Sequence, residues 1–406
     1  MLKRGLKNFG PGPLIAAAFI GPGTVTLCTL SGVRFGMSLL WTLLIAILAA
    51  MILQFMSVKI GLIGRKSITQ AVQDEIHSPI AKHLVISLIF SAILIGNTAY
   101  EAGNISGAVL GMETLFGSST IKLKYLSLNP YALIIGFLSS ALLWTGRYKI
   151  IERSLIGLVL LMSISFLITA FATGPSFFEV LSGLFAFKTP KGSLLTIIGL
   201  VGTTIVPYNL FLHAELVKTK WSSAKELRYA LKDMVIALGL GGVISLCVII
   251  TAAGVPTTDI NNAGDLALGL EPVFGSLSKY FLALGLFAAG ITSTITAPLA
   301  AAYVVCGCFG WSTSLKSKRF KAIWLMIILF GVFLSATGLK LILIIQFAQI
   351  TNGILLPVIA ALLLWITNKH SLLGTLINNR LQNIIGGLIV LLSLFLSLRT
   401  LFLVLQ

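Results

Sequence analysis

Runs of about 17 to 28 apolar residues recur along this 406-residue sequence and constrain its fold more than any other feature. An α-helix rises about 1.5 Å per residue, so each run is long enough to cross a hydrocarbon layer roughly 30 Å thick. The mean hydropathy is +1.02, and there are only 29 basic and 12 acidic residues. These values exclude a water-soluble globule and predict an all-α protein embedded in a lipid bilayer.

The net charge of +17 would suggest a nucleic-acid partner in a soluble protein, but here Lys and Arg lie in short connections between apolar runs. Such placement is typical of the positive-inside bias of membrane proteins. We therefore expect no nucleic-acid partner and a multi-pass location in a bacterial-type inner (plasma) membrane. The start of the chain imitates a signal peptide, but too few apolar residues precede its small residues at 16–18, so we assign it to the first span.

Hydropathy predicts eleven transmembrane helices within a single membrane domain, 1–406. The spans, numbered in chain order, cover 13–32, 37–64, 83–116, 130–146, 150–172, 194–217, 233–254, 279–308, 322–337, 340–367 and 383–404. With a cytoplasmic N-terminus, 21 of the 29 basic residues lie on the cytoplasmic side. The eight on the opposite side are Arg34, Lys122, Lys124, Lys188, Lys191, Lys279, Lys340 and Arg399. This bias supports the count and the orientation.

Patterns for metal-dependent or nucleophilic catalysis are missing from the sequence. It contains no H-E-x-x-H motif, and no Ser, His and acid grouping has a diagnostic spacing. The four cysteines lie in or at the ends of apolar runs, which favours packing over disulfides or zinc: Cys28, Cys247, Cys306 and Cys308. We expect neither enzymatic activity nor a cofactor.

Two spans are interrupted by residues that break helices. Span 1 contains Gly21, Pro22 and Gly23, and span 6 contains Pro207. Proline removes an amide hydrogen and clashes with the preceding turn. Bare backbone in hydrocarbon is costly, so such breaks persist where they are buried in protein or line a cavity. A kinked packing helix would explain one break. Two breaks at corresponding positions predict an inverted repeat, 13–172 and 194–367, with an extra span at 383–404 and a substrate site between the breaks.

Four segments around these breaks resemble the NRAMP family of proton-coupled metal-ion transporters. The residues Ile20 to Thr24 are similar to its first-span Asp-Pro-Gly-Asn segment, and GTTIVPYNLFLHAELV, 202–217, to its sixth-span Met-Pro-His-Asn-Leu-Tyr-Leu-His motif. EAGNISG, 101–107, resembles its acidic third-span segment, and Gln349 falls where its tenth-span Gln lies. The resemblance implies a leucine-transporter-like (LeuT-type) fold of five plus five spans and secondary-active transport by alternating access.

The resemblance also implies where a metal would bind, and this sequence departs from that pattern. Gly21 stands at the position of the metal-binding Asp, Thr24 at that of the Asn, and Val206 at that of the Met. Thr203 falls at the position of the carbonyl ligand. The remaining polar groups are neutral: Thr24, Thr203, Thr204, Tyr208, Asn209 and Gln349.

These neutral groups leave two substrate classes open. Divalent manganese or iron prefers a carboxylate and is selected by a thioether, whereas hydrated magnesium needs mainly oxygen acceptors. We therefore expect a magnesium-like or poorly selective divalent cation. The alternative is an amino acid, another small zwitterion or a small anion, bound by the free amides where span 1 resumes its helix. A channel-like, scaffold or sensor role is a further possibility.

Three polar residues are candidates for proton coupling. Glu101 is the sole acid deep within a span, so it is either a proton carrier or cation partner, or a neutral carboxyl hydrogen-bonded to Asn97 or Asn104. Asn104 replaces the family's second acid in this segment. His213 matches the second His of the sixth-span motif and is either a proton-transfer group or a packing residue. Glu215 either faces water or pairs with a Lys.

Overall fold

The structure, a computed structural model, describes residues 12, 16, 19–123, 126–145, 149–255, 260, 262–337 and 339–404. This part of the chain is almost entirely helical, as predicted. It also contains a short antiparallel hairpin, Ile121–Leu123 with Leu126–Leu128, in which Ile121 lies opposite Leu128. Helices dominate because each backbone amide and carbonyl within a bilayer must find its partner inside the chain.

The helices follow the predicted apolar runs closely. Those of the first half are Pro22–Phe35, Leu40–Leu62, Ile68–Glu75, Pro79–Phe116, Pro130–Thr145, Lys149–Ala172 and Phe177–Phe185. Those of the second half are Leu194–Thr204, Pro207–Lys220, Leu227–Ala253, Ala263–Ala267, Glu271–Phe274, Ser278–Cys308, Lys318–Ala336, Leu341–Ile366, His370–Leu373 and Arg380–Val404. Short 3-10 turns lie at Gly36–Leu39, Ala224–Glu226, Leu268–Leu270, Gly275–Leu277 and Gly374–Leu376. Residues 13–15, 17–18 and 146 of predicted spans 1 and 4 lie outside the described residues.

Local sequence signals mark where several of these helices begin and end. Pro22, Pro79 and Pro207 each occupy the first helical position, where the missing amide hydrogen costs nothing. Helix Pro22–Phe35 ends at Gly36, whose φ of 57° favours glycine and whose amide donates to the Gly32 carbonyl. Span 2 can therefore begin directly after span 1, with a single 3-10 turn between them.

The expected number of eleven membrane crossings is not confirmed. By length and apolar composition, eight helical segments of the described residues can cross a membrane. The number is nine if Ile156–Ala172 and Phe177–Phe185 form one span, although the chain bends by 117° between these two helices. Pro130–Thr145 is too short by this measure, and Pro22–Leu62 counts as one segment. Hydropathy registers apolar runs, whereas a crossing also needs a helical segment of about 20 residues, long enough to span the bilayer. We keep the span numbers as names for the predicted segments.

Elements from both halves of the chain pack into one bundle around span 3. The long helix Pro79–Phe116 lies against spans 8, 9 and 10, and helix Pro22–Phe35 packs on span 7. The first part of span 6 packs on span 10, and its second part packs on span 2. Gly290 of span 8 permits a close approach to span 3, because a Cβ atom there would lie 2.6 Å from the Ala108 Cβ. The two halves of the chain thus bury their broken spans together in the middle of the bundle.

Candidate functional site

Span 1 is broken, as predicted, at Ile20 and Gly21. Phe19 is helical, Ile20 and Gly21 are not, and a new helix starts at Pro22. The backbone of Gly21 is extended, with φ −86° and ψ 175°. Because Pro22 has no amide hydrogen and its ring clashes with a preceding helical turn, the helix cannot run through this point undisturbed. The break therefore presents main-chain groups rather than a regular helical surface.

Span 6 is broken in the same way at Ile205 and Val206. Helix Leu194–Thr204 ends at Ile205, which has φ −107° and ψ 79°. Val206 is extended, with φ −83° and ψ 117°, and the next helix begins at Pro207. Both predicted breaks are thus confirmed, and each places its proline at the start of the second helical half.

A pair of threonine hydroxyls joins the two breaks. The Oγ1 atoms of Thr24 and Thr203 are 2.9 Å apart, and both side chains are at most 2% exposed. The Thr24 hydroxyl also donates to the carbonyl of Phe19, at 2.7 Å. Since its single proton is used there, the Thr203 hydroxyl donates to Thr24 Oγ1. Residues 179 positions apart in sequence therefore form one hydrogen-bonded chain across the breaks.

Gln349 of span 10 completes the contact between the broken spans. A Cβ atom on Gly23 would lie 2.1 Å from Gln349 Nε2, and one on Gly202 would lie 1.9 Å from the Gln349 carbonyl oxygen. Gly202 faces the span 10 backbone, which cannot shift, so that position requires glycine. A side chain on Gly23 would displace the Gln349 amide group. The Gln349 side-chain oxygen has no hydrogen-bond partner among the described residues. Spans 1, 6 and 10 thus pack together at the two breaks, and the side-chain oxygen of Gln349 remains free to accept a hydrogen bond or bind a ligand there.

Three further predicted site residues lie in the span 6 break or just beyond it. Val206 and Tyr208 belong to a buried cluster with Tyr100 of span 3, and the Tyr100 and Tyr208 rings meet edge to face at 5.3 Å. The backbone amide of Asn209 donates to the Val206 carbonyl, and its side chain is buried. The eight residues that the sequence predicts to bind the substrate are all buried, so the site is closed to solvent in this conformation: Gly21, Gly23, Thr24, Thr203, Val206, Tyr208, Asn209 and Gln349.

Glu101, the residue that follows Tyr100 in span 3, is fully buried. Asn104 Nδ2 donates to its Oε2 at 3.3 Å, and Oε1 has no partner among the described residues. Span 9 covers the side chain, because a Cβ atom on Gly331 would lie 2.7 Å from Glu101 Cγ. Asn97, the other expected neighbour, donates instead to the Ala297 carbonyl of span 8. A single neutral amide therefore compensates this carboxyl group.

His213 binds a residue that the sequence analysis missed. Its Nδ1 lies 2.5 Å from Gln54 Oε1 of span 2, and its Nε2 has no partner among the described residues. Both side chains are buried. The signal was present in the sequence, because Gln54 is an uncharged polar residue in the middle of an apolar run, where polar groups usually have a purpose. Glu215 pairs with Lys218 at 2.8 Å, one of the two outcomes expected for it.

The candidate site is formed by neutral groups. Among the described residues, no three His, Cys, Asp or Glu side chains are grouped so as to hold a metal ion. Helix Pro22–Phe35 has no acidic residue in its first turn, so no side chain of that turn neutralises the positive end of its dipole. The four cysteines are buried and free, as expected. Neutral oxygens and helix-terminal amides are what this site offers.

An apolar helical bundle with two broken helices held side by side is the architecture of a membrane transporter that binds its substrate between unwound segments. Solved structures share this fold. A manganese transporter of Eremococcus coleocola superposes with a TM-score of 0.78 at 21% identity, covering 97% of this chain and 86% of that one. MhsT in complex with L-phenylalanine gives 0.62 at 15% identity, covering 97% and 98%. Mhp1, a nucleobase-cation-symport-1 family transporter, gives 0.60 at 16%, covering 98% and 92%.

The particular family follows from the sequence comparisons. The model of the Nramp family, natural resistance-associated macrophage protein-like, matches residues 12–403, and the chain belongs to this family of transporters, which are not enzymes. It is 27% identical over 400 residues to the divalent metal cation transporter MntH of Pectobacterium carotovorum, covering 97% of this chain and 93% of that protein. For MntH of Staphylococcus saprophyticus the identity is 28% over 424 residues, covering 98% and 91%.

Proposed function

We propose that this protein moves a divalent metal cation across the membrane by alternating access, and that the cation is magnesium-like rather than manganese or iron. Relatives that align along almost the whole chain are divalent metal cation transporters. The closed site between the two breaks supports a mechanism in which spans 1 and 6 open to one side of the membrane at a time.

The observation that carries the choice of cation is the donor set of the site. The hydroxyls of Thr24 and Thr203 and the free side-chain oxygen of Gln349 are hard, neutral oxygen ligands. Gly21 and Val206 supply neither a carboxylate nor a thioether. A soft, dehydrated ion would be poorly compensated there. Magnesium keeps several of its waters and accepts such oxygens at the outer edge of its hydration shell.

Uptake into proteoliposomes tests this proposal. We expect the wild type to take up magnesium and to transport manganese poorly. The double variant Gly21→Asp with Val206→Met restores the carboxylate and the thioether, and the extended backbone at Gly21, with negative φ, accepts an Asp without strain. We expect manganese uptake to rise at least about tenfold, equivalent to about 1.4 kcal/mol. Gly21→Asn with Val206→Met is the matched control without the charge. Manganese uptake by the wild type as fast as that of magnesium would refute the proposal.

We also propose that Glu101 takes part in proton coupling. Its carboxyl group is buried with one neutral partner and no cation beside it among the described residues. Such a group gains most from binding either a proton or the charge of a nearby cation. His213 is the second candidate, since its Nε2 remains available while Gln54 holds Nδ1.

One observation favours a different substrate class, a small zwitterion such as an amino acid, or a small anion. The first-turn amides of helix Pro22–Phe35 have no acceptors within the helix, and that turn contains no acidic residue. MhsT, which shares the fold, is solved with L-phenylalanine. Thermal stabilisation against metal salts and amino acids separates the two classes, because a ligand that binds the native state raises the melting temperature. The Gly21→Asp variant sharpens the test, since it should weaken anion or carboxylate binding and strengthen cation binding.

A further inference from the structure

A cavity of about 480 Å³ lies apart from the substrate site, at the end of the bundle where span 1 ends and span 2 begins. Residues of spans 2, 6, 10 and 11 and of the segment preceding span 6 form its wall. The indole of Trp41, at the start of span 2, donates to the Lys188 carbonyl at 2.9 Å and ties that segment to the same end. The volume falls within the range of about 300 to 1,000 Å³ that is usual for ligand sites.

The cavity is apolar and opens to the lipid-facing side of the bundle. Ile45 of span 2 and Leu392 and Phe395 of span 11 line it and are 38%, 54% and 63% exposed. At its inner end it reaches Val201 and Ile205, and Ile205 is one of the two unwound residues of span 6. The cavity therefore connects the membrane with the back of the substrate-site break. A hydrated cation would find no ligands along this apolar wall.

Two polar groups of the wall lack partners within the described part of the chain. The Thr42 side chain is 3% exposed, and its hydroxyl has no hydrogen-bond partner among the described residues. Arg399, near the end of span 11, is exposed and forms no ion pair with any residue that the structure describes. A buried hydroxyl and a guanidinium beside an apolar slot match an amphiphile with an acyl chain and an anionic head.

We propose that this cavity binds one anionic phospholipid from the membrane leaflet at this end of the protein. One acyl chain fills the apolar slot as far as Val201 and Ile205, the phosphate pairs with the Arg399 guanidinium, and the Thr42 hydroxyl donates to a lipid oxygen. The lipid binds from the bilayer, so its supply is continuous. Because it packs against Ile205, it supports the unwound segment of span 6 from behind. This inference extends beyond the proposed function and holds for either substrate class.

Native mass spectrometry of the detergent-solubilised full chain, titrated with phosphatidylglycerol or phosphatidylcholine, tests the site. We expect one phosphatidylglycerol molecule to bind about tenfold more tightly than phosphatidylcholine, a difference of roughly 1.4 kcal/mol. Phosphatidylglycerol offers Arg399 a net negative charge, whereas the choline cation of phosphatidylcholine already compensates its phosphate. Arg399→Gln should abolish this preference. Arg380→Gln, the same change at the opposite end of the same helix, should leave it unchanged.

A second pair of variants tests the slot itself. Ile45→Trp places an indole in the cavity and should prevent tight binding of either lipid. Leu48→Trp, one turn along the same helix at a position that is exposed but does not line the cavity, should bind as the wild type does. Equal binding of the two lipids by the wild type would overturn the proposal. So would unchanged binding in Ile45→Trp, or an equal loss in Arg399→Gln and Arg380→Gln.

Discussion

The hydrogen-bonded hydroxyls of Thr24 and Thr203 can be tested by a double-mutant cycle. We expect one substitution to destabilise the wild type but not the variant that carries the other substitution. The Thr203 hydroxyl donates to Thr24 Oγ1, and the Thr24 hydroxyl donates to the Phe19 carbonyl. Valine matches threonine in shape but lacks the hydroxyl. Thr203→Val removes one hydrogen bond and leaves Thr24 bound to Phe19, so it should lower the free energy of unfolding by about 1 kcal/mol.

Thr24→Val has a larger expected effect. It removes both hydrogen bonds and leaves the buried Thr203 hydroxyl without an acceptor, which together cost about 2 to 3 kcal/mol. In that background, Thr203→Val takes away a hydroxyl that has already lost its acceptor. The second substitution should therefore be neutral or stabilising, although the same change destabilises the wild type. The coupling free energy should be at least about 1 kcal/mol.

Reversible chemical denaturation in detergent micelles, followed by circular dichroism, measures all four corners of the cycle. Thr204→Val is the matched control, because Thr204 is the next residue, is also buried, and bonds within its own helix to the Leu200 carbonyl at 2.7 Å. Its effect should add to that of Thr24→Val without coupling. If Thr203→Val costs the same in both backgrounds, the two breaks are not in contact in the folded protein and our description of the site is wrong.

Three further predictions concern single positions. Gly202→Ala should sharply lower the melting temperature, since its Cβ would lie 1.9 Å from the span 10 backbone, whereas Gly387→Ala, with nothing within 4 Å, should have little effect. Glu101→Gln should abolish proton flux, read with a pH-sensitive dye in proteoliposomes, yet keep the melting temperature because the amide still accepts a hydrogen bond; unchanged flux would remove Glu101 from coupling. Gln54→Leu should destabilise the protein by about 1 to 3 kcal/mol, as it leaves His213 Nδ1 without a partner, and an unaltered denaturation midpoint would contradict this.

Most helix positions could be predicted from the sequence, because an apolar run in a bilayer has few alternatives to the helix. The interruptions at Pro22 and Pro207 were equally predictable, since proline cannot continue a helix without losing a hydrogen bond. The number of crossings was not. Pro130–Thr145 and the bent pair around Thr173 depend on where a helix stops and in which direction the chain continues, which hydropathy does not register.

For the candidate site, too, some features could be predicted from the sequence and others could not. Residue types along the chain were sufficient to establish that the breaks carry hydroxyls and amides instead of a carboxylate and a thioether, since this is a matter of composition. The partners of those groups depended on packing between distant segments. No local pattern pairs Thr24 with Thr203, aims Gln54 at His213, or places Arg399 beside the apolar slot that ends at Ile205. The sequence alone determined which chemical groups the breaks can offer to a substrate, because the side chain at each position is fixed covalently. The tertiary structure decided which of these groups contact one another, because contacts between helices depend on how the whole bundle packs.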